Sequence, residues 1–262
     1  MNSTDIVAYI GAAAWLPPIF VLIYSKCSKP NVTIVPDKFV EIGYTTFGPL
    51  FNLRLSINVD KKDILLDHMS IILRHEDGST HNLEWSGIYE IISEVKNNHG
   101  DSQVIHRDGI PIQIKLNTLS LFEKLVRFRE VDFLRDDKRA RDNLGEYCSY
   151  LQENIKDKNK SKFCSEYLNS KVFTDYLKHM RKNFWWKAGT YFVSFKIKSP
   201  SKISFNSVNF QFQLSQTDID FLGKNLDKIK DDHEFLLKNN NIPEYKGQPV
   251  VWLWRYPELI KA

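Results

Sequence analysis

Only three cysteines occur in 262 residues, and none stands in a CxxC pair, so neither a disulfide framework nor a paired-thiolate zinc site is indicated. A Gly-rich phosphate loop, a GxSxG elbow and an HExxH helix are also missing, which removes the commonest contiguous signatures of nucleotide binding, ester hydrolysis and zinc proteolysis. The most informative absence is of charge. Between Ile6 and Tyr24 there is no Asp, Glu, Lys or Arg. At about 1.5 Å per helical residue, such a run just crosses a hydrocarbon core about 30 Å thick.

The expectation is therefore a single transmembrane anchor at residues 1–29, contacting the bilayer through Ile6 to Tyr24. A cleaved signal peptide would carry a basic stretch before the apolar core and a small-residue cleavage site after it. Here Asp5 precedes the run, and Ser25, Lys26, Cys27, Ser28 and Lys29 follow it. Basic residues near a span stay in the cytoplasm, so the asymmetry predicts a cytoplasmic domain, with Tyr9 or Trp15 and Tyr24 as interfacial anchors. Pro17 and Pro18 predict a bend within the span, and Gly11–Ala14 offers a small-residue face. Cys27 is a membrane-edge thiol open to acylation. The inverse topology would put an extracytoplasmic binding module outside, with Asn31-Val32-Thr33 as a glycosylation tripeptide.

From Pro30 onward the pattern turns to period two, as half-buried strands require. Phe51, Leu53, Leu55, Ile57 and Val59 alternate with Asn52, Arg54, Ser56 and Asn58. Further strands are expected at Val32–Val35, Phe39–Tyr44, Met69–His75, Asn82–Trp85, Ile110–Leu116, Leu125–Phe133, Tyr191–Ile197 and Val208–Leu214. Asp77-Gly78 supplies hairpin chemistry. Ala188, Gly189, Thr190 and Tyr191 resemble the Gly-x-Tyr approach to a late strand of immunoglobulin-like sandwiches, in which the tyrosine hydroxyl bonds back to the preceding loop. The fold expected for residues 30–262 is accordingly mainly β: an immunoglobulin-like antiparallel β-sandwich carrying a helical hairpin insertion at about 135–187, followed by a late helix.

Within that insertion Leu144, Tyr147, Cys148, Leu151 and Ile155 mark one helix face, and Phe163, Tyr167, Val172, Tyr176 and Met180 a second, with Lys156–Ser161 as the turn. Thirteen Lys and Arg against eight Asp and Glu make Arg135–Lys187 basic, so contact with anionic lipid is one expected role. Thr217, Asp218 and Asp220 open the late helix, with Ile219, Leu222, Leu226, Ile229 and Leu236 as its buried stripe. Val250–Tyr256 reads as a closing strand or an aromatic tail packed on the sheet, and Trp185 and Trp186 as core aromatics.

Reactive groups are sparse. His75 with His81, joined by His68, is the best metal candidate across a hairpin. His99 and His106 flank a loop, His233 lies on the apolar stripe of the late helix, and Cys164 with His179 is the one thiol–imidazole pair of note. Acids mixed with bases and the lack of an RNA-binding signature argue against nucleic acid. No catalytic, cofactor-binding or metal residue is assigned. The function expected is that of a membrane-anchored interaction or scaffold module with a protein partner; the alternative is a membrane-tethered enzyme using His75, His81 or Cys164.

Overall fold

The structure, a computed structural model, describes residues 15–96, 102–110, 112–155, 160–242 and 244–262. Helix α1 (Leu16–Cys27) leads through Pro30 into β1 (Asn31–Thr45). β2 (Gly48–Asp60) returns beside it, in register from Asn31↔Asp60 to Thr45↔Gly48. Then come β3 (Ile64–Leu66), β4 (His68–His75), β5 (Thr80–Lys96), β6 (Ser102–Gly109), β7 (Ile114–Leu116) and β8 (Phe122–Glu130). Three helices follow, α2 (Val131–Asn154), α3 (Lys160–Leu168) and α4 (Lys171–Lys182), and then β9 (Gly189–Lys198), β10 (Ser204–Phe205) and β11 (Asn209–Leu214). The chain finishes with α5 (Gln216–Gly223), α6 (Asn225–Asn241), β12 (Trp254–Arg255) and β13 (Ile260–Lys261).

The strands form one curled mixed sheet in the order β10-β1-β2-β8-β5-β4-β9-β11-β13, with β12 beside β1 and β6 beside β5; β3 and β7 make a separate pair. The two facing sheets expected of an immunoglobulin-like sandwich are not present as separate sheets, and the β1–β10 pairing is parallel. Local alternation sets which side chains turn inward but does not say which strand closes on which. The closure comes from the C-terminus. Trp254 and Arg255 pair with Gly43 and Ile42, the Leu259 N–H donates to the Lys38 carbonyl (2.7 Å), and Ile260 and Lys261 then pair with Gln211 and Phe210. One segment thus joins β1 to β11, and the sheet curls back on itself. Asn225, fully buried, holds it: its Nδ2 donates to the Leu253 carbonyl (2.8 Å) and its Oδ1 accepts from the Leu253 N–H (2.9 Å).

The inward positions of β2 (Phe51, Leu53, Leu55, Ile57, Val59) are all at most 2% exposed, and they meet Ile71 and Leu73 of β4, Val126 and Phe128 of β8 and Tyr191 and Val193 of β9 in a single core. Burial of such side chains at roughly 25 cal/mol per Å² is the main term holding the sheet. Several expectations are corrected in detail. Val32–Val35 and Phe39–Tyr44 belong to one strand, β1, with a bulge between Pro36 and Val40 where proline cannot donate to a ladder. Of the described residues in Ile110–Leu116 only Ile114–Leu116 form a strand, paired with β3. β8 stops at Glu130, and Phe133 lies within α2, buried under Gly48. Among the described residues the helical hairpin is instead three helices, because the Ser170 hydroxyl accepts from the Phe173 N–H (3.0 Å) and starts a new helix; residues 156–159 of the expected turn lie outside the described residues. The late helix is two, α5 and α6, and Leu236 is exposed at 47% where its stripe was expected to be buried.

Among the described residues no helix is long and apolar enough to cross a membrane. The 12 residues of α1 span about 18 Å; residues 6–14 of the expected anchor lie outside the described residues.

The β1–β2 turn needs Gly48. Its φ is +77°, and an added Cβ would come within 2.4 Å of the buried Phe133 ring. Gly78 in the β4–β5 turn has φ +89° with no atom within 4 Å of a Cβ. Gly78→Ala should cost about 1–2 kcal/mol from the left-handed backbone alone, whereas Gly48→Ala adds about 1–3 kcal/mol of overpacking. Denaturant titration of the two variants should rank Gly48→Ala clearly less stable; equal losses would contradict the packing under this turn.

Candidate functional site

The three histidines of the expected metal site are brought to neighbouring strands and then committed elsewhere. His75, 5% exposed, has Nε2 3.1 Å from the Ala188 carbonyl, while its Nδ1 accepts from the Asp77 N–H (3.3 Å), and its ring packs 4.7 Å from that of Tyr191. His81 places Nδ1 2.6 Å from Glu130 Oε1 and stacks on Trp185 (3.7 Å, 9°), whose indole N–H donates to the other Glu130 oxygen (2.7 Å). His68 faces Glu84 (3.4 Å). No group of three or more His, Cys, Asp or Glu able to hold a metal occurs among the described residues. His99 lies outside them, as does the side chain of His106.

The β4–β5 turn is clasped to the chain entering β9. Asp77 accepts from Lys187 Nζ (2.8 Å), which together with Ser79 holds its carboxyl well below the usual carboxylate range; Glu76 accepts from the Thr190 N–H (2.8 Å), which lowers its own. The Tyr191 hydroxyl accepts from the Lys187 N–H (2.8 Å) and donates to the Lys187 carbonyl (3.2 Å), the bond back to the preceding loop that the Gly-Thr-Tyr sequence suggested.

Cys164 and His179 do not form a pair. Cys164 is buried on α3 beside a 310 Å³ cavity lined by Lys230, Glu234 and Lys238, while His179 on α4 stacks near Phe133 (5.7 Å) and lines a different cleft. Cys148 and Cys164 are free thiols, and burial pushes both thiol pKa values up, away from the thiolate a nucleophile needs.

A polar cluster lies where the β1–β2 turn meets α2 and α4. Arg141 donates to the Thr46 carbonyl and, at 2.7 Å, to Asp137, which is 4% exposed; Arg129 donates twice to the Phe47 carbonyl (3.2 and 3.1 Å). The Phe47 ring sits 5.2–6.0 Å from the guanidinium carbons of Arg127, Arg129 and Arg141. Burial lowers the Arg129 pKa to about 10. The Tyr44 hydroxyl donates to the Met180 carbonyl, and burial pushes the phenols of Tyr44 and Tyr176 well above their ordinary value. The cluster was missed from sequence, although Asp137 and Arg141 have the i, i+4 spacing of a helical ion pair. Chemically it is a staple: guanidiniums are held on carbonyls and phenols remain protonated.

Among the described residues there are also two larger clefts. One, of 700 Å³, runs between α2 and α4, floored by Ala140, Tyr147, Val172 and Tyr176 and rimmed by Tyr150, Asp136, Arg139, Glu146 and Asp175. The other, of 620 Å³, opens between β11 and the C-terminal segment, where Arg255 is held by Asp218 (2.9 Å) and lies 3.7 Å from the Phe221 ring centre. No family model, no curated protein and no solved structure matches the chain.

His233 of α6 stands between the rings of Phe173 (5.2 Å) and Tyr176 (5.1 Å), and burial, aided by the Arg141 charge, lowers its pKa from 6.5 to about 4. The unfolded chain therefore binds the proton more readily than the folded one. This contribution to stability is complete above about pH 6.5 and is lost as pH falls through 6.5 to about 4, amounting to about 3 kcal/mol. His233→Gln should flatten stability against pH in that window in urea titrations; an unchanged slope would contradict burial of a neutral imidazole here.

Proposed function

We propose that this chain is a single-pass membrane protein whose β-rich domain works as an interaction module in a membrane-associated assembly. The observation that carries the reading is α1: Leu16, Ile19, Phe20 and Val21, with Trp15 just before it, are 48–69% exposed, so the domain leaves an apolar helix uncovered. Exposed aliphatic and aromatic side chains in such number call for lipid or another chain to cover them. Continuity of the uncharged sequence from Ile6 to Tyr24 favours lipid. Lys26 and Lys29 after the segment, with Asp5 before it, put the domain on the cytoplasmic side in this reading. A reducing compartment agrees with the free thiols of Cys148 and Cys164. For the partner, the α2–α4 cleft is the favoured surface, since it combines tyrosines with a charged rim as protein interfaces do.

Alkaline carbonate extraction of membranes tests the anchor. The wild type should stay in the pellet. Trp15→Lys combined with Leu16→Arg should move it to the soluble fraction, since each basic residue near a span centre costs about 2.5–3.5 kcal/mol of insertion. Trp15→Leu with Leu16→Ile should stay in the pellet. Wild-type protein recovered in the soluble fraction would overturn the reading. Tyr150→Ala, at the cleft rim, should lose any stoichiometric partner that co-purifies with the wild type while leaving membrane retention unchanged.

A further inference from the structure

The strand register divides the domain into two ends. At one lie the Thr45–Gly48 turn, the start of α2 after Glu130 and the start of α5 after Leu214. At the other lie Asn31, where the chain arrives from α1, its partner Asp60, and Phe122, which opens β8 opposite Ile57. The 117–121 loop leads into Phe122 and is tied to the β2–β3 connection by the Thr118 N–H donating to Asp63 (2.9 Å). β1, β2 and β8 are neighbours about 4.8 Å apart, so Leu121 lies on the order of 10–15 Å from the point where α1 joins the sheet. The β9–β10 connection reaches the same place, since the Ser204 N–H donates to the Pro30 carbonyl (2.8 Å), and Gln113 joins it through Asp67 (2.7 Å), whose N–H bonds Lys198.

This end carries apolar side chains that the fold leaves in solvent: Ile110 (84% exposed), Ile112 (85%), Leu119 (99%), Leu121 (60%) and Leu65 (42%). They stand on separate connections and not on one flat face. Around them, residues 28–31, 60–67, 112–124 and 196–205 hold eight lysines against four acids, as large a surplus as the formal +4 of the whole chain. We propose that this end of the sheet is a second membrane contact, in which Ile110, Ile112 and the 117–121 connection dip into the headgroup region of an anionic bilayer. It rests on the anchor reading above, because α1 delivers the chain to this end. Aliphatic loop tips set among lysines match an anionic lipid interface, where carbon enters the acyl boundary and ammonium groups meet lipid charge. A second copy of the same end would oppose lysine to lysine. The basic helices α2–α4, for which lipid contact was expected from charge alone, stand at the opposite end of the strands.

The test is amide hydrogen exchange of the full chain in nanodiscs of phosphatidylcholine, in nanodiscs of phosphatidylcholine with phosphatidylserine, and in detergent. Exchange over 112–121 should slow several-fold in the anionic discs relative to the other two, and Leu119→Ser with Leu121→Ser should abolish that difference while leaving core strands protected. Equal exchange in all three, from a protein that does enter the discs, would overturn the proposal and leave the anchor standing. Failure to enter any disc would instead refute the anchor. Protection that rises with protein concentration in detergent would assign the surface to a second copy and overturn the lipid assignment.

Discussion

The constraint on which the rest depends is the β1–β2 ladder. Twelve paired positions, from Asn31↔Asp60 to Thr45↔Gly48, fix where the chain enters the domain and where it first turns. Because side chains alternate, a slip of one residue would turn Phe51, Leu53, Leu55, Ile57 and Val59 out of the core, so the register is strongly specified. β8 then pairs with β2, the helices follow from its end, and the C-terminal segment returns along β1. The polarity of the molecule, with the apolar helix α1 at one end and the helical layer at the other, follows from this hairpin.

At the turn end most of the unusual polar chemistry serves structure. Arg129 and Arg141 hold two successive carbonyls of a tight turn, and Asp137 neutralises Arg141 where it is partly buried. Breaking a buried pair by removing one partner costs more than the pair contributes, so such groups are kept together even when they do no chemistry. Glu130 plays a similar part, joining His81 to Trp185 and so consuming a histidine that sequence alone offers as a ligand.

The long strands were legible because burial on one face writes a period of two: β2, β9 and β11 fall where alternation is cleanest, and the Asp77-Gly78 turn where its chemistry predicts. What was not legible is long-range. The joining of β1 to β11 depends on Asn225 and Trp254, far apart in sequence and unremarkable in local pattern. Phe133 looked like the end of a strand because a buried aromatic fits either periodicity. His75, His81 and Cys164 looked reactive as residue types, but their partners (Ala188, Glu130 and the α3–α6 packing) are set by tertiary structure alone. The resemblance at Gly189-Thr190-Tyr191 was right about a hydroxyl bond and uninformative about the sheet around it.

In the proposed reading, the apolar segment, the exposed tips at the Asn31 end and the distal helical layer belong to a domain that stands end-on to a bilayer. Neutron reflectometry of the full chain reconstituted in a supported anionic bilayer measures this directly. β2 alone, 13 residues at about 3.3 Å each, gives the sheet a height on the order of 40 Å. The account predicts protein density within the hydrocarbon core and, on one side, a protein layer at least that thick, densest next to the headgroups. Absence of protein from the hydrocarbon core, or a protein layer separated from the headgroups, would contradict it.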